Sequence, residues 1–187
     1  MKDYTVKDFM VSTAKLVTIP ENAKVHDAVE ILEQAQRELP PEDFRHRVMV
    51  VVDKQGEFVG KLSLLDIIAG LEPKYAQVKD FKLSRFGLTQ QMLKTIFEQH
   101  GLWENSLATL CKRADRILVK DIMDSPEESE LVHENESLSF AIHQFATGRH
   151  HNLMVHNATG KITGLLRLVD VYGNIRKMLA ECRVEGS

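Results

Sequence analysis

Two short stretches of the chain combine residue types that could hold a sugar and a phosphate. The first contains Ser63 and ends at Asp66. The second ends at Asp170 and has Arg167 where the first has the hydroxyl. A carboxylate can accept hydrogen bonds from both hydroxyls of a ribose, and helix N-termini and cationic side chains favour phosphate. These stretches are therefore the first candidates for a binding site.

Other roles are open for the same residues. Asp66 lies near the start of a predicted helix, where a carboxylate can cap backbone N–H groups, and Asp170 lies in the same position. Arg167 could grip a phosphate, or it could fill the second site by pairing with a glutamate. The residue types alone do not decide between these roles.

The two stretches belong to an internal repeat. Val-Lys-Asp-Phe-Met at residues 6–10 recurs as Val-Lys-Asp-Ile-Met at residues 119–123. Further matches follow in the same order: Glu21-Asn22 with Glu134-Asn135, Ala28 with Ala141, Gly60 with Gly164, and Asp66 with Asp170. The spacing between the copies shortens after the first helix, which places an extension in the first copy near residues 36–45. Ordered matches of this kind indicate a duplication.

Each copy predicts a β-α-β-β-α unit. Continuous apolar residues predict a buried strand at 48–52, and the repeated plan predicts the matching strand at 152–155. First strands are predicted at 16–19 and 130–132, and return strands at 58–62 and 162–166. A helix with one apolar stripe is expected after Lys24 in the first copy and after Ser137 in the second. Ser137 can cap its helix, whereas Lys24, at the corresponding place, cannot cap in that way. A closing helix follows each carboxylate.

Residues 72–118 are explained by neither copy. Thr89 can cap a helix that Gly101 ends, and a second helical segment covers residues 107–114. We predict an inserted helical hairpin, which could be a lid, a dimer arm or a surface for a client protein. The stripe from Met92 to Phe97 is expected to be core. The predicted domains are residues 1–71, 72–118 and 119–187.

Composition restricts the class of protein. The apolar fraction of 43% and the charged fraction of 27% are those of an ordinary globular chain. A net charge of -3 disfavours a general nucleic-acid surface. No segment has the length and apolarity of a membrane span or a signal core, so a cytoplasmic location without a membrane partner is expected. No nucleophile elbow, metal signature or P-loop is present, so we predict no enzyme and no catalytic residue.

With this repeat and its Gly-x-x-Ser-x-x-Asp turn, the chain resembles a tandem pair of cystathionine-β-synthase-type (CBS) domains, a Bateman module. The resemblance covers about residues 5–71 and 118–180, and the chain departs from the family pattern at Val50 and Met154, where relatives usually have proline. It implies an α/β (α+β) fold of two pseudo-symmetric β-α-β-β-α units packed as a Bateman module, here with the helical insert.

The resemblance also implies a function. Such modules are non-catalytic, need no obligatory cofactor, and bind AMP, ADP, ATP or S-adenosylmethionine in the cleft between the repeats. A homodimer and an unidentified client protein are the expected partners. The alternative is a ligand-free module for dimerisation or docking that acts through the helical insert.

Site residues follow from the family pattern at matching positions. In the first copy, Asp66 would accept the ribose and Ser63 would contact the phosphate, while residues before the buried strand would line the base and phosphate: His46, Arg47 and Val48. In the second copy the matching residues are Asp170, Arg167, His150, His151 and Asn152.

Histidines near the second copy allow another interpretation. His150 and His151 lie close in sequence to His143 and His156, and imidazole is a common metal ligand. No carboxylate or cysteine completes a recognisable metal spacing, so no metal site is predicted. A phosphate contact and a solvated surface are the remaining roles for these side chains.

Overall fold

The computed structural model describes residues 4–38, 48–76, 89–104 and 107–185. In chain order the described elements are β1 (Val11–Ser12), β2 (Thr18–Pro20), α1 (Val25–Arg37), β3 (Val48–Val52), β4 (Phe58–Ser63), α2 (Leu64–Gly70), α3 (Gln90–His100), α4 (Leu107–Ala114), α5 (Val119–Ile122), β5 (Leu131–His133), α6 (Leu138–Gly148), β6 (Asn152–His156), β7 (Ile162–Arg167) and α7 (Leu168–Glu185). No described helix combines the length and apolarity needed to cross a bilayer.

The chain forms two compact units. Val17–Asp124 form one, here called the first-copy unit. Met1–Leu16 and Ser125–Ser187 together form the other, the second-copy unit. The mixed helix and strand content agrees with the predicted α/β (α+β) fold.

The first-copy unit is built on a three-stranded sheet in the order β2-β3-β4. β3 lies parallel to β2 and antiparallel to β4, so it is the central strand. Its continuous apolar sequence fits this place, because a central strand covered on both faces has no solvent side. On α1, Val25, Ala28 and Leu32 are buried as the stripe predicts, whereas Val29 remains exposed.

The second-copy unit repeats this plan with one additional strand. Its sheet has the order β1-β7-β6-β5, with β5 parallel to β6 and β6 antiparallel to β7. Ser137 caps α6, since its hydroxyl accepts a hydrogen bond from the backbone N–H of Phe140 at 3.3 Å. The extra strand β1 comes from the N-terminus of the chain and pairs antiparallel with β7.

The segment that opens each copy, residues 6–12 in the first and residues 119–124 in the second, packs in the unit of the other copy, and we call these two the exchanged segments. The backbone N–H of Val6 donates to the carbonyl of Glu136 at 2.9 Å, and that of Val119 donates to the carbonyl of Ala23 at 2.8 Å. Val6 and Val119 are both completely buried, each in the apolar core of the unit it joins. The compact units therefore divide the chain at other positions than the repeat does, because each unit contains the exchanged segment of the opposite copy.

The insert contains the two predicted helices. Thr89 caps α3 through a 3.2 Å hydrogen bond from the backbone N–H of Met92, and Gly101 ends it in a left-handed conformation with φ of 54°. The prediction that the stripe on α3 is core is wrong, because Met92, Leu93 and Phe97 are each about half exposed. The helical period places these side chains on one face but does not determine what covers that face.

A buried carboxylate connects the beginning of the insert with its later part. Glu72 is completely buried, and its Oε2 accepts a 2.9 Å hydrogen bond from the backbone N–H of Trp103. Arg113 Nη1 lies 3.8 Å from Oε1 and also donates to the carbonyl of Leu71 at 3.1 Å. Burial of a charge is costly unless it is paired, so these contacts are what allow Glu72 to occupy the interior.

The surroundings of Glu72 also set its proton affinity. Burial raises the pKa of the carboxyl, but the backbone N–H groups of Trp103 and Lys74 lower it. The nearby charges of Arg113 and Lys74 lower it further, and the resulting pKa is below the ordinary value of 4.5. A group whose pKa falls on folding stabilises the folded state while it is ionised, and that contribution is lost as pH drops through the folded-state pKa.

We predict that the exchanged segments stabilise opposite units. Val6→Ala should weaken amide protection against hydrogen exchange in β6 and β7, and Val119→Ala should weaken it in β3 and β4. Removing two methyl groups from a packed core costs about 2 kcal/mol. Each variant is the matched control for the other. If either variant lost amide protection equally in both units, the assignment of each exchanged segment to the opposite unit would be contradicted.

We also predict a pH-dependent role for Glu72. Glu72→Gln should lower the free energy of unfolding at pH 7 by about 1–3 kcal/mol, because charge-assisted hydrogen bonds are lost. The difference from wild type should shrink as pH falls below about 4.5, where the unfolded carboxyl becomes protonated. Urea unfolding at pH 7 and at about pH 4 measures both values, with exposed Glu38→Gln as control. A difference independent of pH would refute the role of ionised Glu72.

Candidate functional site

The turn from β4 into α2 brings Ser63 and Asp66 together. Ser63 is the residue before α2, and its backbone N–H and hydroxyl both donate to Asp66 Oδ2, at 2.7 and 2.6 Å. In return, the Ser63 hydroxyl oxygen accepts a 3.2 Å hydrogen bond from the backbone N–H of Asp66. This reciprocal pattern is a capping box, so the helix-cap role of Asp66 is present in the structure.

Capping does not exhaust the hydrogen-bonding capacity of Asp66. The contacts from Ser63 all go to Oδ2, and within the described part of the chain Oδ1 accepts no hydrogen bond. The carboxylate is only partly buried. An ionised carboxylate has about four acceptor positions on its two oxygens. Asp66 can therefore hold the turn and still receive two hydroxyl donors from outside.

The matching turn from β7 into α7 is built differently. Arg167 Nε donates to Asp170 Oδ2 at 2.5 Å, so the guanidinium takes the partner position that Ser63 holds in the first copy. Only 12% of the Arg167 side chain and 20% of the Asp170 side chain are exposed. Arg167 therefore forms an ion pair within the turn itself. The glutamate pairing considered for Arg167 stays a prediction.

The glycine of each turn faces the exchanged segment. A Cβ on Gly164 would lie 2.6 Å from the backbone carbonyl oxygen of Val11, and one on Gly60 would lie 3.0 Å from that of Asp124. Both distances are shorter than ordinary contacts. Glycine is therefore needed for the close approach of a neighbouring chain segment, which is a structural reason for part of the motif.

Lys61, inside the first turn, is a residue whose role the sequence pattern did not reveal. It is almost completely buried, and its Nζ lies 3.5 Å from Asp124 Oδ2. The backbones of these two residues also exchange hydrogen bonds of 2.9 Å in each direction. Lys61 thus joins β4 to the exchanged segment at residues 119–124. In the sequence, the match of residues 119–123 with residues 6–10 was the available sign that this segment has a structural role.

Of the residues predicted to line the base and the phosphate, Val48 and Asn152 are the first residues of β3 and β6 and lie beside the two turns. Val48 is directly opposite Ser63 across β3 and β4, and Asn152 is opposite Arg167 across β6 and β7. His46 and Arg47 lie outside the described residues, so their predicted contacts with base and phosphate remain predictions.

The two histidines before β6 differ in exposure. His150 is buried, and its Nδ1 lies 3.8 Å from Glu130 Oε1, so its ring faces the interior of the second-copy unit. His151 is exposed, and its carbonyl accepts a 3.0 Å hydrogen bond from the backbone N–H of Leu168 at the start of α7. Of these two histidines, His151 is therefore the one that solvent and a ligand can reach.

The described residues contain no group of three or more metal-binding side chains arranged to hold an ion. The closest histidine rings described are those of His133 and His156, which meet edge to face with centroids 5.4 Å apart. They are adjacent because β5 and β6 are paired in register at these residues. This contact is explained by strand pairing, and the sequence spacing of the two residues gave no hint of it.

The comparisons with known proteins agree with this architecture. The family model of the CBS domain matches residues 6–72. No curated protein sequence is significantly similar to the chain. The matched residues include the exchanged segment at residues 6–12, the buried strand β3 and the whole turn with Ser63 and Asp66.

Solved structures of CBS proteins share the fold over most of the chain. CBSX2 in complex with AMP is 22% identical, with a TM-score of 0.57 over 94% of this chain and 98% of that one. CBSX2 from Arabidopsis thaliana, a CBS-pair protein, is 22% identical, with a TM-score of 0.58 over 96% and 97%. A CBS domain-containing protein from Bacillus anthracis is 15% identical, with a TM-score of 0.60 over 94% and 95%. Residues 6–72 therefore match the CBS domain family, and the chain has the fold of CBS-pair proteins.

Proposed function

We propose that this chain is a non-catalytic regulatory module that binds an adenosine-containing ligand and signals its presence to a partner protein. AMP, ADP, ATP and S-adenosylmethionine are the ligands considered, and a cytoplasmic location is part of the proposal. The observation that supports it most is the Asp66 carboxylate, which Ser63 holds in a fixed turn and whose Oδ1 accepts no hydrogen bond from any residue that the structure describes. CBSX2, a structural neighbour, has been solved with AMP.

The chemistry of this turn suits a ribose. Both ribose hydroxyls are donors, and Asp66 offers them a carboxylate whose position is already fixed before binding. A preorganised acceptor loses little conformational entropy when the ligand arrives, which favours affinity. The Ser63 hydroxyl, together with His46 and Arg47 on the preceding segment, is proposed to serve the phosphate and the base.

A homodimer is the proposed assembly, and an exposed apolar face on each unit supports it. Leu65 and Ile68 on α2 are largely exposed, and so are the matching Val169 and Tyr172 on α7. Exposed apolar side chains at equivalent positions of both copies favour burial against another protein surface. A second copy of the chain can supply the same pair of faces, as expected for a symmetric interface.

One observation favours the alternative, a docking module that acts through the insert. Met92, Leu93 and Phe97 present a second exposed apolar face on α3. Helix α3 belongs to the first-copy unit, so a partner bound on α3 would be attached to that unit. The alternative therefore places the output, or the whole function, on this helix.

We predict that Asp66→Asn weakens binding of AMP, ATP or S-adenosylmethionine by about 10- to 100-fold. Asparagine keeps an acceptor for the cap but removes the charge that strengthens hydrogen bonds from the ribose. Isothermal titration calorimetry of the three ligands measures the change. Asp53→Asn is the matched control, because Asp53 also accepts two backbone N–H bonds in a turn of the same unit and lies in no proposed site.

Two results would count against the sensor. One is a wild-type chain that binds none of the three ligands below millimolar concentration. The other is equal affinity in wild type and Asp66→Asn, which would remove Asp66 from the site while leaving ligand binding itself intact.

We predict that paired surface variants separate the two assemblies. Ile68→Glu should convert a wild-type dimer to monomers, because a charge in a buried apolar interface is costly, whereas Phe97→Glu should leave the dimer unchanged. Analytical ultracentrifugation measures both, with far-UV circular dichroism as the folding control. Dissociation by Phe97→Glu and not by Ile68→Glu would favour the docking alternative over the proposed interface.

A further inference from the structure

We propose that Arg167 closes the second turn from within, so that the chain offers one adenosine site, at Asp66, instead of two. This inference rests on the proposed function, because it concerns which of the two turns can take the ligand. It begins from the difference between two turns that share a backbone plan and differ in one partner of the carboxylate.

The difference is one of charge. In the first turn Ser63, a neutral donor, contacts Asp66, so the carboxylate keeps its full negative charge for an incoming ribose. In the second turn the partner is the guanidinium of Arg167, which compensates the charge of Asp170. A ribose diol brings only neutral donors, so it gains less at a compensated carboxylate and must compete with a charge-assisted contact.

The position of Arg167 favours its contact with Asp170 over a contact between Asp170 and a ribose. Arg167 is the last residue of β7, opposite Asn152 in the sheet, and α7 begins at the next residue. The backbone N–H of Leu168 donates to the carbonyl of His151 at 3.0 Å, which ties the start of α7 to the segment before β6. Both side chains of the ion pair are largely buried, so the guanidinium is held at the carboxylate by its surroundings.

The competing role for Arg167 is a grip on a ligand phosphate. That role needs a cationic group whose charge is available to the ligand, and here the charge already faces Asp170 at contact distance. The two roles predict opposite effects of removing the guanidinium. If Arg167 closes the turn, its removal opens a second site, and if it grips a phosphate, its removal weakens binding.

The test is a reciprocal exchange of the two residues, followed by calorimetric stoichiometry with AMP, ATP and S-adenosylmethionine. Wild type should bind one equivalent per chain, and Arg167→Ser should bind two. Ser63→Arg should bind none, because it places the closing residue in the first turn. The double variant Ser63→Arg/Arg167→Ser should again bind one equivalent, now lost on adding Asp170→Asn instead of Asp66→Asn.

Two equivalents in the wild type, or a folded Arg167→Ser that still binds one, would overturn the closure and leave the proposed function standing. Weaker binding in Arg167→Ser would assign Arg167 to the phosphate instead. If Arg167→Ser fails to fold, Asp170→Asn in the wild type decides, since closure predicts unchanged stoichiometry and an open second site predicts a loss.

Failure of the proposed function has its own signature. If wild type binds no probe and Arg167→Ser binds one equivalent that Asp170→Asn removes, the closure holds and the Asp66 site is refuted. If neither protein binds any of the three probes, both proposals fail.

Discussion

The structure depends on a reciprocal exchange of chain segments between the two copies of the repeat. A completely buried valine leads each exchanged segment, at Val6 and Val119, and its backbone N–H bonds to the opposite copy. Neither unit has a complete core without this valine. The exchange also reaches the candidate site, because the segments pass close to Gly60 and Gly164 at the beginning of the two turns.

Much of the fold could be predicted because its signals are local. The strand at Val48–Val52 is apolar throughout, and Thr89, Gly101 and Ser137 begin or end their helices by side-chain and backbone geometry that needs no distant partner. The repeat then supplied the second unit. Strand β1 could not be predicted, since two residues have no periodicity and their partner, β7, lies almost at the other end of the chain.

In the candidate site, too, local features could be predicted from the sequence and tertiary contacts could not. The spacing of Ser63 and Asp66 identifies a capping box or a binding turn equally well, and the structure shows the capping box with an acceptor left over. The partner of Arg167 and the burial of His150 could not be predicted, because both depend on tertiary packing. Glu72 is similar, since a glutamate is expected at the surface unless its partners, here Trp103 and Arg113, are known.

The exchanged segments also have a consequence for synthesis of the chain. Strand β1 is synthesised before the first-copy unit, yet its pairing partner β7 is synthesised well after that unit. Contacts between such distant parts of a chain form slowly, because a long loop must close before they stabilise anything. The first-copy unit can assemble once residue 124 is available, while Val6 must wait with its apolar side chain exposed. The first residues of the first copy therefore reach their folded position only after the second copy has been synthesised.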